Sequence, residues 1–139
     1  MALLEASGLT KHFSSRSAAG RTIAAVDGVS LTVEPGEAYA LVGPDGAGKT
    51  TAIRLMVGAL GLETGKVTIL GHDLARQAEQ ARAAIGYLPQ RFSLYHDLTV
   101  YENLAFFGSV RGLAARNLPG RVAELLGFVG LAGFRDRMA

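Results

Sequence analysis

Residues 43–51 read GPDGAGKTT and lie between two segments of regular apolar pattern. Residues 37–42, ahead of this loop, are apolar almost throughout, which predicts a strand covered on both faces in a parallel sheet. After the loop, apolar residues recur at helical spacing up to the glycines at 58 and 61. The order of strand, glycine loop and helix predicts an α/β fold organised around the loop.

The loop matches the pattern G-x-x-x-x-G-K-T, in which backbone N–H groups curve around a phosphate. Lys49 brings a positive charge to the β- and γ-phosphate oxygens, Thr50 offers a hydroxyl to Mg²⁺, and Thr51 can reach the α-phosphate. ATP and Mg²⁺ are therefore the expected ligands, and the alternative is a glycine turn that binds nothing. The candidate nucleotide-binding residues of the loop are Gly43, Pro44, Asp45, Gly46, Ala47, Gly48, Lys49, Thr50 and Thr51.

Composition excludes several other classes of function. The formal net charge is +2 and the arginines are scattered, so no nucleic-acid partner is predicted. The chain has no cysteine, and His12, His72 and His96 show no metal-ligand spacing, so we expect all three imidazoles to face solvent. No apolar run reaches the ~20 residues of a membrane span and no secretory signal opens the chain, which indicates a cytoplasmic location.

The order of the predicted elements divides the chain into three regions. Residues 1–36 read as a small antiparallel sheet with a Ser/Arg/Gly-rich stretch at 14–21 and a turn at Pro35-Gly36. Residues 37–98 contain the loop and its helix, then a strand at 66–70, a helix near 76–84 and a strand at 84–89. Residues 99–139 turn helical, opening with a capping box at Thr99 and Glu102 and ending in a helix near 119–130.

Several stretches of the chain together resemble one protein family: LTKHF, VDGVSLTVEPGEAYALVGPDGAGKTT, ETGKVTILGHD and IGYLPQRFSLYHDLTVYENL. Read in order, they resemble the N-terminal half, or a little more, of an ATP-binding-cassette (ABC) transporter ATPase, and are most similar to the ATPases of ABC-2-type exporters. The resemblance implies a P-loop NTPase core with an N-terminal antiparallel β subdomain and the start of a helical subdomain. The chain would then carry only the first part of an ABC ATPase domain.

The resemblance also implies roles for individual residues. Phe13 falls where the family has an aromatic residue that stacks on adenine, and the alternative is an ordinary sheet-packing aromatic. Gly43 to Thr51 corresponds to the Walker A motif. Gln90 corresponds to the Q-loop glutamine, which approaches Mg²⁺ and the attacking water; the alternative is a turn residue after Pro89.

The resemblance further implies two protein partners. Arg91–Asp97 falls where the family contacts a transmembrane permease subunit, and a solvated loop is the alternative for this segment. A second ATPase subunit would join in a head-to-tail dimer. These partners would hold the protein against the inner face of the cell membrane, whereas the transported substrate is bound by a different polypeptide.

Two departures from the family pattern affect the expected activity. Asp45 stands where most relatives have asparagine and brings a carboxylate close to a triphosphate, which could weaken nucleotide affinity. The signature motif, the Walker B aspartate with its catalytic glutamate, and the switch histidine are not found in these residues. Asp27 follows four apolar residues and imitates a Walker B motif, but it precedes the loop and is interpreted as a turn residue.

Three functions are compatible with these features. The first is the ATP-binding segment of an exporter ATPase, which binds ATP but hydrolyses little on its own. The second is a nucleotide-binding module without turnover. The third is a small phosphotransferase, a class that usually opens with its phosphate loop, whereas 42 residues precede Gly43 here. For the region after Thr99 we expect exposed apolar side chains, with self-association or partial disorder.

Overall fold

The computed structural model describes residues 1–14, 22–90 and 94–139. The chain forms two compact units, Met1–Tyr87 and Leu88–Ala139. Most of the Ser/Arg/Gly-rich stretch predicted at 14–21, and the first three residues of the predicted permease contact, lie outside the described residues. Among the described residues, no helix is both long enough and apolar enough to span a membrane.

The first unit contains a four-stranded antiparallel sheet. Its strands are β1 (Leu4–Ser14), β2 (Thr22–Val33), β3 (Thr64–Ile69) and β4 (His72–Asp73). They lie in the order β2-β1-β3-β4, so that the long hairpin of β1 and β2 is extended by the later strands. The antiparallel sheet predicted for residues 1–36 is confirmed, as are the turn at Pro35-Gly36 and the strand predicted at 66–70.

An irregularity interrupts the pairing of β1 and β2 close to the phosphate loop. Lys11 is paired with Val26 and His12 with Ala24, so Ala25 is an extra residue on β2. Such a bulge leaves one residue out of the ladder and bends the strand locally. It therefore changes the direction of the Ala25 backbone at the place where the loop approaches the sheet.

Two helices complete the first unit, α1 (Lys49–Met56) and α2 (Ala78–Ala83). α1 buries Ala52, Leu55 and Met56 in one core with apolar side chains of the sheet. This packing fixes α1, and with it the end of the phosphate loop, against β1 and β2. The sheet residues of the core are Ala6, Leu9, Val26, Val67 and Ile69.

Two strands predicted from apolar runs are not formed. Residues 37–44 and 84–89 are irregular, and Val42 is 94% exposed. A parallel strand needs hydrogen-bonding neighbours supplied by crossover connections, whereas the strands within the described residues pair only in antiparallel fashion. An apolar run can signal a preference for burial, but it cannot supply the neighbouring strand.

The second unit is helical, with α3 (Val100–Val110) and α4 (Leu118–Phe128). Short 3₁₀ turns at Ala115–Asn117 and Ala132–Phe134 precede and follow α4. The chain then returns to the start of α3, where the N–H of Val100 donates to the carbonyl of Arg137 at 2.8 Å. Both helices were predicted, the first from its capping box and the second from its apolar spacing.

Candidate functional site

The phosphate loop begins with a tight turn. The N–H of Ala47 donates to the carbonyl of Pro44 at 3.3 Å, which makes Asp45 and Gly46 the two central residues of a four-residue turn. Gly46 has φ +80°, the left-handed value that the third residue of a type II turn requires. Glycine reaches this conformation without steric cost, so the sequence itself determines the curvature of the loop.

Gly48 joins the loop to helix α1 and approaches the sheet closely. Its φ is +85°, and a Cβ placed on it would overlap the carbonyl oxygen of Ala25. Ala25 is the bulged residue of β2, so its backbone comes close to the loop instead of lying in the regular ladder. Gly48 is therefore required twice, once for its conformation and once for the space beside Ala25.

The Lys49 side chain folds over the loop that precedes it. Its ammonium donates to the carbonyl oxygens of Gly43 and Pro44, both at 2.7 Å. These bonds place the positive charge above the turn, on the side of the loop from which helix α1 begins. The ammonium can exchange these neutral carbonyl acceptors for phosphate oxygens, which are stronger acceptors because they are charged.

The first turn of α1 leaves its backbone donors available. Gly48 is the N-cap and provides no side-chain cap, and no acidic residue lies in the first turn. By helix geometry the N–H groups of Lys49, Thr50 and Thr51 have no intrahelical acceptor, and the helix dipole favours an anion at this end. Thr50 is exposed at this end of the helix, so its hydroxyl is accessible to a ligand.

Phe13 lies near the end of β1 and is paired with Ile23 of β2. Ile23 lies two residues before Ala25, so the backbone pairing of Phe13 is about 7 Å along the strand from the place where β2 meets Gly48. The side chain is 44% exposed and contacts the Lys11 ammonium, which is 5.9 Å from the ring centroid. Phe13 is therefore not a packed core residue, and part of it is accessible to a ligand.

His12, whose side chain is 38% exposed, also contacts an acidic residue. Its backbone N–H donates to Glu63 Oε2 at 2.9 Å, and its Nδ1 lies 2.9 Å from Glu63 Oε1. The backbone hydrogen bond from His12, with the side-chain bond as the next contribution, lowers the pKa of the Glu63 carboxyl. The sequence carried no local sign of this contact because the two residues are 51 positions apart.

Asp27 also differs from its prediction in one respect. It lies inside β2 and not in a turn, next to Gly28, at a second register shift between β1 and β2. The bulge lets the chain accommodate a glycine with φ +63° without ending the strand. The chain is irregular at Asp27 and Gly28, as the turn signal indicated. Because β2 pairs with β1 on both sides of this place, the irregularity lies within the strand and does not end it.

Gln90 is exposed and belongs to the second unit, so its approach to a metal ion stays a prediction. Within that unit, Asn103 organises the segment that follows. Its side chain is 1% exposed, accepts from the N–H of Tyr95 at 2.8 Å and donates to the carbonyls of Tyr95, Leu98 and Thr99. Sequence reasoning missed this residue, although a lone asparagine beside apolar neighbours on a helix is a usable signal.

The family is decided by comparison with known sequences. A family model described as "ABC transporter" matches residues 26–139. The chain belongs to the ABC transporter family. This match begins in β2 and includes the whole phosphate loop, so it confirms the resemblance that the loop and the later motifs indicated.

Individual relatives carry names from the same family. The chain is 38% identical to the probable multidrug ABC transporter ATP-binding protein YbhF of Escherichia coli K12, over 99% of this chain and 25% of that protein. It is 41% identical to the Nod factor export ATP-binding protein I of Paraburkholderia xenovorans, over 80% and 36%. It is 40% identical to the methionine import ATP-binding protein MetN of Leifsonia xyli subsp. xyli, over 92% and 38%.

Solved structures confirm the fold class. The structure of an ATP-binding subunit of an ABC transporter superimposes with a TM-score of 0.78 at 29% identity, covering 98% of this chain and 54% of that one. A dimeric ATP-binding cassette in a post-hydrolysis state, bound to ADP and Pi, superimposes with a TM-score of 0.82 at 22% identity, covering 97% and 61%. The chain thus has the fold of the N-terminal portion of an ABC ATPase, and it spans between 25% and 38% of the length of the three relatives named above.

Proposed function

We propose that this chain is the ATP-binding segment of an ABC exporter ATPase and binds Mg·ATP at residues 43–51. The geometry of the loop carries the proposal. Gly46 and Gly48 have left-handed backbones, Lys49 lies over the loop carbonyls, and the first turn of α1 lacks any cap that would compete with a phosphate. Backbone donors, a helix dipole and an ammonium at one place form an anion site for a polyphosphate.

Each residue of the loop would have its own part in binding. The N–H groups around Gly46, Ala47 and Gly48 would surround the β-phosphate, and Lys49 would exchange its two carbonyl acceptors for β- and γ-phosphate oxygens. Bound Mg²⁺ would be held by the Thr50 hydroxyl and by Gln90, and would neutralise charge on the terminal phosphates. Asp45, exposed at the corner of the turn, adds the one negative charge of the loop and is expected to reduce affinity.

Phe13 would hold the adenine by stacking. Phe13 is half-exposed, and its partner on β2 lies two residues along the strand from Ala25, which Gly48 approaches. An aromatic ring beside a phosphate site provides apolar contact area for the flat base without adding charge. This arrangement supports the interpretation of Phe13 as a nucleotide-binding residue over that of a sheet-packing one.

The exporter assignment is supported by two of the three relatives, which are named for multidrug transport and for Nod factor export. The stretch YLPQRFSLYHDLTVYENL gives the same indication by its resemblance to ABC-2-type ATPases. In this proposal Arg91–Asp97 contacts a transmembrane permease, and a second ATPase subunit pairs head to tail with this one. The protein would then lie in the cytoplasm against the inner face of the membrane.

Turnover by these 139 residues alone should be very low. Hydrolysis needs a general base or an orienting group for water, and donors to the γ-phosphate, which the family takes from motifs not found in this sequence. A missing general base costs about 10²–10⁴ in rate and one missing transition-state donor about 10²–10³. Even the lower values multiply to about 10⁴, or about 5.5 kcal/mol of barrier.

Calorimetry on the purified chain tests the proposal. We expect Mg·ATP to bind the wild type and to bind Lys49→Ala at least tenfold more weakly, because the ammonium is a main cation of the site. Lys66→Ala is the matched control, since Lys66 is an exposed lysine on β3 paired with Asp73. Equal affinity of wild type and Lys49→Ala would contradict the assignment.

Phosphate release by the same proteins at saturating ATP distinguishes binding from turnover. We expect no release above the background of Lys49→Ala. Turnover at a rate ordinary for a transport ATPase, and lost in Lys49→Ala, would show that these residues hold a complete catalytic site and that the expected inactivity is wrong.

A further inference from the structure

We propose that Lys11 is a positioning residue for the adenine-stacking ring of Phe13, an inference that rests on the nucleotide site proposed above. The Lys11 ammonium lies over the Phe13 ring at 5.9 Å from its centroid. Neither the loop pattern nor the family resemblance assigned any role to Lys11.

Strand geometry brings the two side chains together. Residues two apart on a strand project from the same face, so Lys11 and Phe13 are neighbours on one side of β1, and His12 projects from the other. An ammonium is attracted to the electron-rich face of an aromatic ring, and this attraction restricts the ring's rotamers. The contact with Lys11 occupies one face of the ring, and in this proposal the base stacks on the opposite face.

The backbone below Phe13 is held from the other side of the strand. The Glu63 carboxylate accepts the N–H of His12 at 2.9 Å and contacts its imidazole Nδ1 at the same distance. These two contacts hold the end of β1 to the start of β3. They therefore fix the position of the Phe13 Cα, which follows His12. The Phe13 side chain, which is 44% exposed, still needs a contact of its own to fix its orientation.

The pair also lies beside the phosphate loop. Lys11 is paired with Val26 and Phe13 with Ile23, so the two residues bracket the bulge at Ala25. Ala25 and Val26 are the residues that Gly48 approaches most closely. A base stacked on Phe13 would therefore extend from a triphosphate bound at the loop, and the orientation of the ring would set how well both ends are held together.

An experiment can distinguish a role of Lys11 in positioning the Phe13 ring from a direct attraction between the Lys11 charge and phosphate. If Lys11 acts through the ring, its loss weakens binding of a ligand that carries a base and leaves binding of inorganic triphosphate unchanged. If Lys11 instead contacts phosphate, both ligands lose affinity together. A cation–π contact at an exposed site corresponds to about a two- to fivefold change in affinity.

The experiment measures Mg·ATP and Mg·tripolyphosphate binding to the purified chain by calorimetry. The variants are Lys11→Met, which keeps the apolar stem and removes the charge, Lys11→Arg, which keeps the cation, and Lys66→Met as the matched control. We expect Lys11→Met to bind ATP about two- to fivefold more weakly and tripolyphosphate unchanged, with Lys11→Arg and Lys66→Met close to wild type. In a Phe13→Ala background, Lys11→Met should have no further effect on ATP.

The outcomes separate this inference from the proposed function. Unchanged ATP affinity in Lys11→Met, a parallel loss of tripolyphosphate binding, or a full effect of Lys11→Met in the Phe13→Ala background would each overturn the role of Lys11 and leave the nucleotide site intact. If the wild type bound neither ligand, the proposed function itself would be wrong. Circular dichroism of each variant confirms that the sheet is folded.

Discussion

At the scale of the residue, Gly48 connects the local chemistry of the loop to the tertiary structure. The local backbone conformation requires glycine, because φ is +85° and any other residue would be strained there. Packing against the sheet also requires glycine, because a Cβ at this position would overlap the Ala25 carbonyl oxygen. Gly46, two residues earlier, has nearly the same φ but open space around it. Comparison of the two glycines therefore distinguishes backbone strain from steric overlap with the sheet.

Comparison of Gly46→Ala with Gly48→Ala tests this distinction. Gly46→Ala should cost about 1 kcal/mol of stability, from backbone strain alone. Gly48→Ala should cost about 1–3 kcal/mol more, because the added methyl group displaces either α1 or the bulge on β2. Urea unfolding of both variants gives the two values, and equal destabilisation would show that the Ala25 contact is relieved without cost.

At the scale of the element, helix α3 is defined by its first turn. The Thr99 hydroxyl accepts the N–H of Glu102 at 3.2 Å, and the Glu102 carboxylate accepts the N–H of Thr99 at 2.7 Å. The backbone hydrogen bond from Thr99, followed by the bond from its hydroxyl, lowers the pKa of the Glu102 carboxyl. This reciprocal cap was predicted from four residues of sequence because both partners belong to one helical turn.

The capping box gives a prediction on stability and its pH dependence. Thr99→Ala should destabilise α3 by about 1 kcal/mol. Because the pKa of Glu102 is lower in the folded state than in the unfolded chain, its contribution is complete above about pH 4.5 and is lost as the pH falls through the folded-state pKa. Urea unfolding between pH 3 and 7 should show a pH-dependent advantage of wild type over Glu102→Gln, and a constant difference would contradict this assignment.

Elements that depend on distant partners were predicted less well than α3. The run at 37–42 has the composition of a buried strand, yet Tyr39 and Val42 are exposed in an irregular segment. The small antiparallel sheet at 1–36 was predicted correctly because β1 and β2 follow one another and supply each other's hydrogen bonds. A strand in a parallel sheet takes its partners from elsewhere in the chain, and its own residues do not specify them.

At the scale of the whole molecule, apolar surface is concentrated in the unit Leu88–Ala139. Phe128, on α4, is 88% exposed, and Val110, Val129 and Met138 are also more than half exposed. An apolar cavity of about 300 Å³ is lined by residues of α3, α4 and the segments that flank them. Exposed apolar side chains grouped in one unit favour association with another apolar surface.

Light scattering at increasing concentration should therefore show self-association of the chain. Phe128→Ser should reduce the apparent mass at a given concentration, because it removes the most exposed ring among the described residues of this unit. Ala123→Ser, at another exposed position of α4, is the matched control and should leave the association unchanged. A strictly monomeric wild type, or equal association of Phe128→Ser, would show that this surface does not mediate contacts.

The sequence alone determined the features whose partners lie within a few residues of one another. These are the turn at Gly46, the lysine that follows Gly48 and the capping box of α3. The tertiary structure decided the approach of Ala25 to Gly48 and the contacts between His12 and Glu63, 51 residues apart. It also decided that residues 37–42 do not pair. Local dihedral preferences and short-range hydrogen bonds are encoded where they act, whereas a bulge, a long-range side-chain contact or a strand partner depends on how distant segments pack.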